Sequence, residues 1–247
     1  MQGVFITGTD TAVGKTRIGV LLAKALYKKN IRVIPRKPVE SGCKTMSGAL
    51  LPADALALKQ AAHYEGELRE VCPYRFAQPV SPVRAAHLSN SQLTTEQLVK
   101  ACQHRDDEGF TLVEGAGGLY SPLTEDGLNA DLAMALKLPV LLVAEDKLGV
   151  LNQVLLNIEA LDMCGLGLLN QVLLNIEALD MCGLDLVGIV LNNLDNNRDR
   201  HMDNAADLRA RLDCAVFKQN YCGNISDELV NAVIAKPARP VAKLVVS

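Results

Sequence analysis

The residues with the clearest chemical potential form one run, Gly8-Thr-Asp-Thr-Ala-Val-Gly-Lys-Thr16. Backbone N–H groups at a helix N-terminus bind phosphate oxygens. Gly14 lets the backbone approach the phosphates. Lys15 brings a cation to the β/γ-phosphates, and the Thr16 hydroxyl can ligate Mg²⁺. The spacing departs from the usual pattern: five residues rather than four separate Gly8 from Gly14, so Thr9 stands where a glycine is expected. The flanking elements are those the motif needs. The apolar strand Val4-Phe-Ile precedes it, and a helix with Ile18, Leu21, Leu22, Ala25 and Leu26 on one stripe follows. A Gly-rich turn joining a strand to a helix is the plainer alternative.

A second informative stretch is Phe110-Thr-Leu-Val-Glu-Gly-Ala-Gly-Gly118. A buried strand ends in Glu114, where phosphate-loop proteins keep the carboxylate that organises Mg²⁺. The following glycines let backbone approach a ligand. Lys37 falls at the end of the strand Ile31-Arg-Val-Ile-Pro-Arg-Lys-Pro, the edge at which open parallel sheets bind ligands. In isolation it reads as a surface lysine. Asp54, in the first turn of a helix beginning at Pro52, complements the helix dipole or points a carboxylate at a metal. Glu145 and Asp146 end another buried strand, and Asn192 and Asn193 end the last one. An Asn there can form a turn or hydrogen-bond a purine edge.

The elements that must position these groups alternate strand and helix through most of the 247 residues. The fold expected is α/β: one domain over 1–247, a mostly parallel sheet with helices on both faces. Apolar residues make up 49% of the chain, enough for a large core. Thr94 carries a capping signal for a helix. Residues 43–52 and the Pro-rich run from Cys72 to Pro82 read as loops. Asn197–Leu212 reads as a surface helix, and the tail from Cys214 shows one helical patch, Asp227–Ala235. Leu151–Leu166 recurs unchanged at Leu169–Leu184, an offset of 18. Repeat architectures drift and need about three units or more. This pair reads as a recent duplication, of which one copy suffices for the helix between two strands. Gly165 and Gly167 argue against one continuous helix through both.

A net charge of −3 gives no electrostatic case for nucleic acid. No basic n-region or long apolar h-region opens the chain, and no segment approaches the roughly 18 apolar residues of a membrane span. The seven cysteines (43, 72, 102, 164, 182, 214, 222) form no metal or disulfide framework, so reduced thiols and a cytoplasmic location are expected. The four histidines, at 63, 87, 104 and 201, show no metal spacing and read as structural or surface residues.

Taken together, Gly-Thr-Asp-Thr-x-Val-Gly-Lys-Thr, Lys-Pro-Val-x-Ser-Gly, an Asp opening the next helix, Val-Glu-Gly-Ala-Gly-Gly and Lys-Leu-Gly-x-x-Asn resemble the dethiobiotin synthetase family. The resemblance runs from Met1 to about Asn193, apart from the repeat. It implies a P-loop NTPase-like fold and use of MgATP and CO₂ to close a cyclic urea on 7,8-diaminononanoate, with release of ADP and phosphate. By this resemblance Lys37 and Lys15 are catalytic, and Thr16, Asp54 and Glu114 hold Mg²⁺. Nucleotide contacts fall on Thr11, Ala12, Val13, Gly14, Lys15, Thr16 and Arg17, on Asp54, on Glu114, Gly115, Ala116 and Gly117, and on Asn192 and Asn193, with Asn192 reading adenine. Ser41 holds the diamine or carbamate. Leu148, Gly149 and Asn152 match a substrate-tail loop shared across a homodimer.

Two departures stand out. Ala12 replaces a Glu frequent in this loop, and Phe217-Lys-Gln-Asn220 occupies the place of the usual strand end beside adenine. Rival classes on the same fold are a partition- or division-type switch ATPase and another amide- or urea-forming synthetase. The first is disfavoured because Gly8–Val13 holds no extra lysine, the second because the chain has no room for a glutaminase domain.

Overall fold

The computed structural model describes residues 2–104, 109–166, 184–194 and 202–235. Its main sheet has six strands: β1 (Gly3–Gly8), β2 (Val33–Arg36), β3 (Phe110–Glu114), β4 (Val140–Glu145), β5 (Leu186–Asn192) and β6 (Val216–Gln219). They lie in the order β6-β5-β4-β1-β3-β2, and every neighbouring pair is parallel. All six therefore end at one edge of the sheet. From β1 the chain runs out to β2, returns to β3 beside β1, then crosses to β4 on the other side. The order reverses between β1 and β3, which opens a crevice above their C-terminal ends.

Side chains alternate across each strand, and the sheet is covered on both faces. Phe5, Val113, Leu142, Ile189 and Leu191 pack against α3 (Thr95–Cys102), α4 (Asn129–Leu136), α5 (Val150–Leu166) and α6 (Asn204–Arg209). Val4, Ile6, Leu112, Leu141 and Val190 face the opposite way. They pack against α1 (Lys15–Lys28), α2 (Ala53–Ala61) and α7 (Asp227–Ile234). In α1 the apolar positions Ile18, Leu22 and Leu26 recur every four residues and are fully buried. Each such side chain contributes about 1.5–3 kcal/mol by leaving water. Burial on this scale pins the phosphate loop at the start of α1 to the sheet.

Pro35 is tolerated because β2 is an edge strand of only four residues. The capping box expected at Thr94 forms, with Gln97 as its reciprocal partner. Three expectations need correction. Residues 44–51 are not a loop but a hairpin, Lys44–Met46 against Ala49–Leu51, closed by Ser47 and Gly48, both at positive φ as a tight hairpin turn requires. The tail holds a strand, β6, whose four residues alternate too briefly to give a readable signal. The surface helix read over Asn197–Leu212 spans Asn204–Arg209 in the described residues, with 197–201 outside them. The first copy of the repeat forms α5, which runs through Gly165. The second copy, apart from Leu184, lies outside the described residues.

Candidate active site

Gly14 begins the site. It sits at φ +92°, the left-handed region open to glycine, and directly precedes α1. No side chain caps the helix, so the first-turn N–H groups at 15–17 have neither an intrahelical acceptor nor a capping oxygen. A β-carbon at position 14 would lie 2.1 Å from Asn192 Nδ2, so space as well as conformation demands glycine. Within the loop Thr11 N donates to Asp10 Oδ1 at 2.6 Å, and Ala12 adopts a positive φ of 61°.

Two lysines face this loop. Lys15 Nζ donates back to the Asp10 carbonyl at 2.8 Å. Burial, and then the nearby Lys37 cation, push its pKa down to about 8. Lys37 leaves the end of β2 almost wholly buried, with Nζ 2.6 Å from Glu114 Oε1, 2.9 Å from the Gly115 carbonyl and 3.5 Å from Asp54 Oδ2. Burial alone would lower its pKa, but the Glu114 and Asp54 carboxylates outweigh it and hold the ammonium above its ordinary value. One lysine is thus weakened as a cation and the other locked in as one.

Glu114 ties the cluster together. At 1% exposure, its Oε1 accepts from Lys37 and, at 2.8 Å, from the Thr16 hydroxyl. Its Oε2 is buried with no partner among the described residues. Two carboxylates, a hydroxyl and an unused buried oxygen suit Mg²⁺, which takes one or two carboxylates and keeps its remaining positions for water and phosphate. The donors are all oxygen, a hard set that fits that ion better than a soft metal.

A cavity of about 280 Å³ gathers most of the residues singled out from the sequence. Thr11, Ala12, Gly14, Lys15, Thr16, Lys37, Ser41, Asp54, Glu114, Ala116 and Gly117 line it. Ser41 Oγ donates to the Val80 carbonyl at 2.6 Å. Gly115 lies just behind, where a β-carbon would meet Asn129 Oδ1 at 2.4 Å. Val13 is buried beneath the loop. A larger cavity, about 780 Å³ between the end of α1 and the start of β2, opens at the opposite edge of the sheet and holds none of these groups.

Other expected residues lie apart from this cavity. Leu148, Gly149 and Asn152 follow β4, on the far side of β1 from Lys37, and Leu148 is 91% exposed. Glu145, half-buried, pairs with the exposed Lys147. Asn192, expected at the base, has no exposed surface. Its Nδ2 donates to the Val13 carbonyl at 3.0 Å, and its Oδ1 accepts from Arg17 Nη1 at 3.0 Å.

Two residues were missed. Glu40 is 7% exposed and accepts from the N–H groups of Asp54 at 3.1 Å and Ala55 at 3.0 Å. It caps α2, which has Pro52 and no capping side chain at its own N-terminus. It thereby sets where Asp54 points. Burial and the Asp54 carboxylate raise its pKa, while those N–H groups oppose the rise. The uncapped Pro52 start was the available signal, but a cap supplied from fourteen residues away has no local signature. Asn129, fully buried, clamps the glycine loop. It accepts from Ala116 N at 3.0 Å and donates to the carbonyls of Ala116 and Gly118 at 2.8 and 2.9 Å.

Residues 2–217 match an AAA domain family, AAA_26. The ATP-dependent dethiobiotin synthetase BioD of Ruthia magnifica subsp. Calyptogena magnifica is 43% identical over 67% of this chain and 76% of its own. The protein of the same name from Vesicomyosocius okutanii subsp. Calyptogena okutanii is 45% identical over 65% of this chain and 72% of its own. Among solved structures, septum site-determining protein MinD complexed with Mg-ADP from Pyrococcus horikoshii OT3 aligns over 89% of this chain and 82% of its own, at 14% identity and a TM-score of 0.44. The chain belongs to the AAA_26 family of AAA domains and to the ATP-dependent dethiobiotin synthetase family.

Proposed function

We propose that this protein uses ATP and Mg²⁺ to carboxylate 7,8-diaminononanoate with CO₂ and close it to dethiobiotin, releasing ADP and phosphate. The observation that carries this reading is the buried Lys37 ammonium, held between Glu114 and Asp54 in the same cavity as the phosphate loop. A carbamate and a γ-phosphate are both anions. Their approach needs positive charge fixed beforehand in a water-poor place.

The chemistry follows in three steps. One substrate amine adds to CO₂ and loses a proton, giving a carbamate. A carbamate oxygen then attacks the γ-phosphorus and ADP leaves, giving a mixed carbamic-phosphoric anhydride. The second amine attacks the carbonyl carbon, the ring closes and phosphate departs. Lys37 supplies the positive charge toward the carbamate and the transferring phosphoryl group, and Lys15 with the N–H groups of α1 binds the phosphates. Thr16, Asp54 and Glu114 would hold Mg²⁺, which supplies further charge neutralisation at the phosphates when bound. Ser41 orients the diamine end. Leu148, Gly149 and Asn152 serve the substrate tail across a homodimer, a reading supported by the near-complete exposure of Leu148. The protein acts as a single domain in the cytoplasm; no helix among the described residues is long and apolar enough to cross a membrane.

The test is phosphate release from ATP with and without the diamine and bicarbonate, with mass detection of product. Diamine-dependent release of phosphate and a product gaining one carbonyl are expected. ATP turnover indifferent to the diamine would refute the assignment.

A further inference from the structure

The cavity of about 780 Å³ at the opposite edge of the sheet is lined by the far ends of the elements that build the active site. α1 carries Lys15 and Thr16 in its first turn, and Tyr27 and Lys28 at its other end line this cavity. β2 runs from Val33 in the cavity wall to Arg36, immediately before Lys37. α2 carries Asp54 in its first turn, and Ala62 and His63, just past its last residue, reach the cavity. The fourteen residues of α1 put its two ends roughly 21 Å apart.

The volume is that of a small-molecule site, and the walls differ in charge. Lys28 and Arg32 lie on the α1–β2 wall, Glu65 and Glu70 on the segment after α2. Glu70 is held in place. Tyr64 Oη donates to its Oε2 at 2.7 Å, and the buried Arg36 guanidinium stands 5.7 Å from the centroid of the Tyr64 ring. A β-carbon on Gly66 would lie 2.3 Å from that same Oε2, so glycine leaves the carboxylate its room. Glu65 is exposed and makes no hydrogen bond or ion pair among the described residues. Tyr27 and His63 join the two walls by stacking, with ring centroids 4.0 Å apart and planes 20° from parallel, and Tyr27 is 47% exposed.

We propose that this cavity binds a zwitterion, an ammonium and a carboxylate carried on one apolar stem, and that its occupancy tightens nucleotide binding at the phosphate loop. The ammonium meets Glu65 and Glu70, the carboxylate meets Lys28 beside Arg32, and the stem lies against the Tyr27 ring. A molecule that engages both walls fixes the ends of α1 and α2 against each other, and with them the first turns that carry Lys15, Thr16 and Asp54. The nucleotide then has less freedom left to remove when it binds. This coupling rests on the reading of Gly14–Thr16 as the phosphate site; binding of the zwitterion does not.

Isothermal calorimetry of the full chain with 8-aminooctanoate tests the site, with octanoate and octylamine as probes carrying one charge each. The zwitterion should bind about fivefold more tightly than either, the upper end of what one exposed ion pair contributes. Glu65→Gln should weaken it by about threefold with an unchanged melting temperature, and Tyr27→Ala by about tenfold. Ser41→Ala, in the smaller cavity, should leave it unaltered. Loss in Ser41→Ala but not in Glu65→Gln would put the probe in the active-site cavity and overturn the assignment. So would equal affinity for the three probes, or no binding. Displacement of a fluorescent N-methylanthraniloyl-ADP probe by ADP with Mg²⁺ reads the coupling. Saturating 8-aminooctanoate should tighten ADP several-fold, and ADP should tighten the zwitterion by the same factor. An ADP affinity unmoved by the zwitterion would overturn the coupling. Failure of ADP to bind at all would overturn the phosphate-site reading and the coupling with it, while the zwitterion result stands.

Discussion

The two flanks of the phosphate loop each hold an arginine or lysine against oxygen, but the oxygens differ. On the β2–β3 flank Lys37 faces two carboxylates, almost without exposure. On the β5–β6 flank Arg17 faces carbonyls and one amide, partly open to solvent. Formal charges in a low-dielectric pocket interact strongly and cannot be rearranged cheaply. Neutral dipoles around an always-charged fork hold shape without committing charge. The first flank is suited to meeting a changing charge, the second to keeping loops in register.

The sharpest way to break this comparison is Lys37→Ala, with Lys37→Gln alongside because removing one member of a buried ion pair strains the fold. Phosphate release is expected to fall by about a thousandfold, in the range seen when a preorganised charge-stabilising group is lost. MgATP should still bind, held by the loop. Near-normal turnover in a folded variant would erase the distinction between the flanks. Next in size, Glu114→Gln removes the carboxylate shared by Lys37 and Thr16. The Mg²⁺ concentration for half-maximal activity should rise by roughly ten- to a hundredfold, and an unshifted Mg²⁺ titration would remove Glu114 from the metal set.

The smallest effect concerns Lys15, which lies between the flanks. Its pKa, pushed down to about 8 by burial and by Lys37, is below its unfolded value of 10.5. The free folded protein therefore binds fewer protons than the unfolded chain between those two pH values, and this group makes stability rise with pH across that window. Nucleotide phosphates favour the charged form, so binding should take up a proton near pH 8 and weaken several-fold above it. Calorimetry in buffers of different ionisation enthalpy measures that uptake. Its absence in wild type, or its persistence in Lys15→Gln, would assign the titration elsewhere.

How much of this was readable from the chain depended on how local each signal was. The phosphate loop and Glu114 could be read because strand, turn and helix are adjacent in sequence, and strand ends of a parallel sheet share an edge. Lys37 and Asp54 were readable only through the resemblance, because a strand-end lysine is commonly a solvated one and a first-turn carboxylate has an ordinary use at any helix. Glu40 and Asn129 act across fourteen and thirteen residues through hydrogen bonds that leave no pattern. β6 escaped because four residues, one of them exposed, give no periodicity. Arg17 had a position in the motif, but the reach of its guanidinium to Asn220 and Tyr221 depends on two strands pairing some two hundred residues later.

Gly14 is barred from change on two separate counts: its φ of +92° and the 2.1 Å approach of Asn192. Shortening Asn192 to Ala would clear the second obstacle and leave the first. No single compensating replacement can therefore make another residue acceptable at 14. The reverse obstacle is of another kind: no backbone conformation or clash bars a smaller residue at 192 while glycine remains, but it would leave the Val13 carbonyl and Arg17 without the amide that now meets them. Mutational paths through this pair are therefore uneven: sterically closed at the loop, and at the strand end limited only by lost hydrogen bonds.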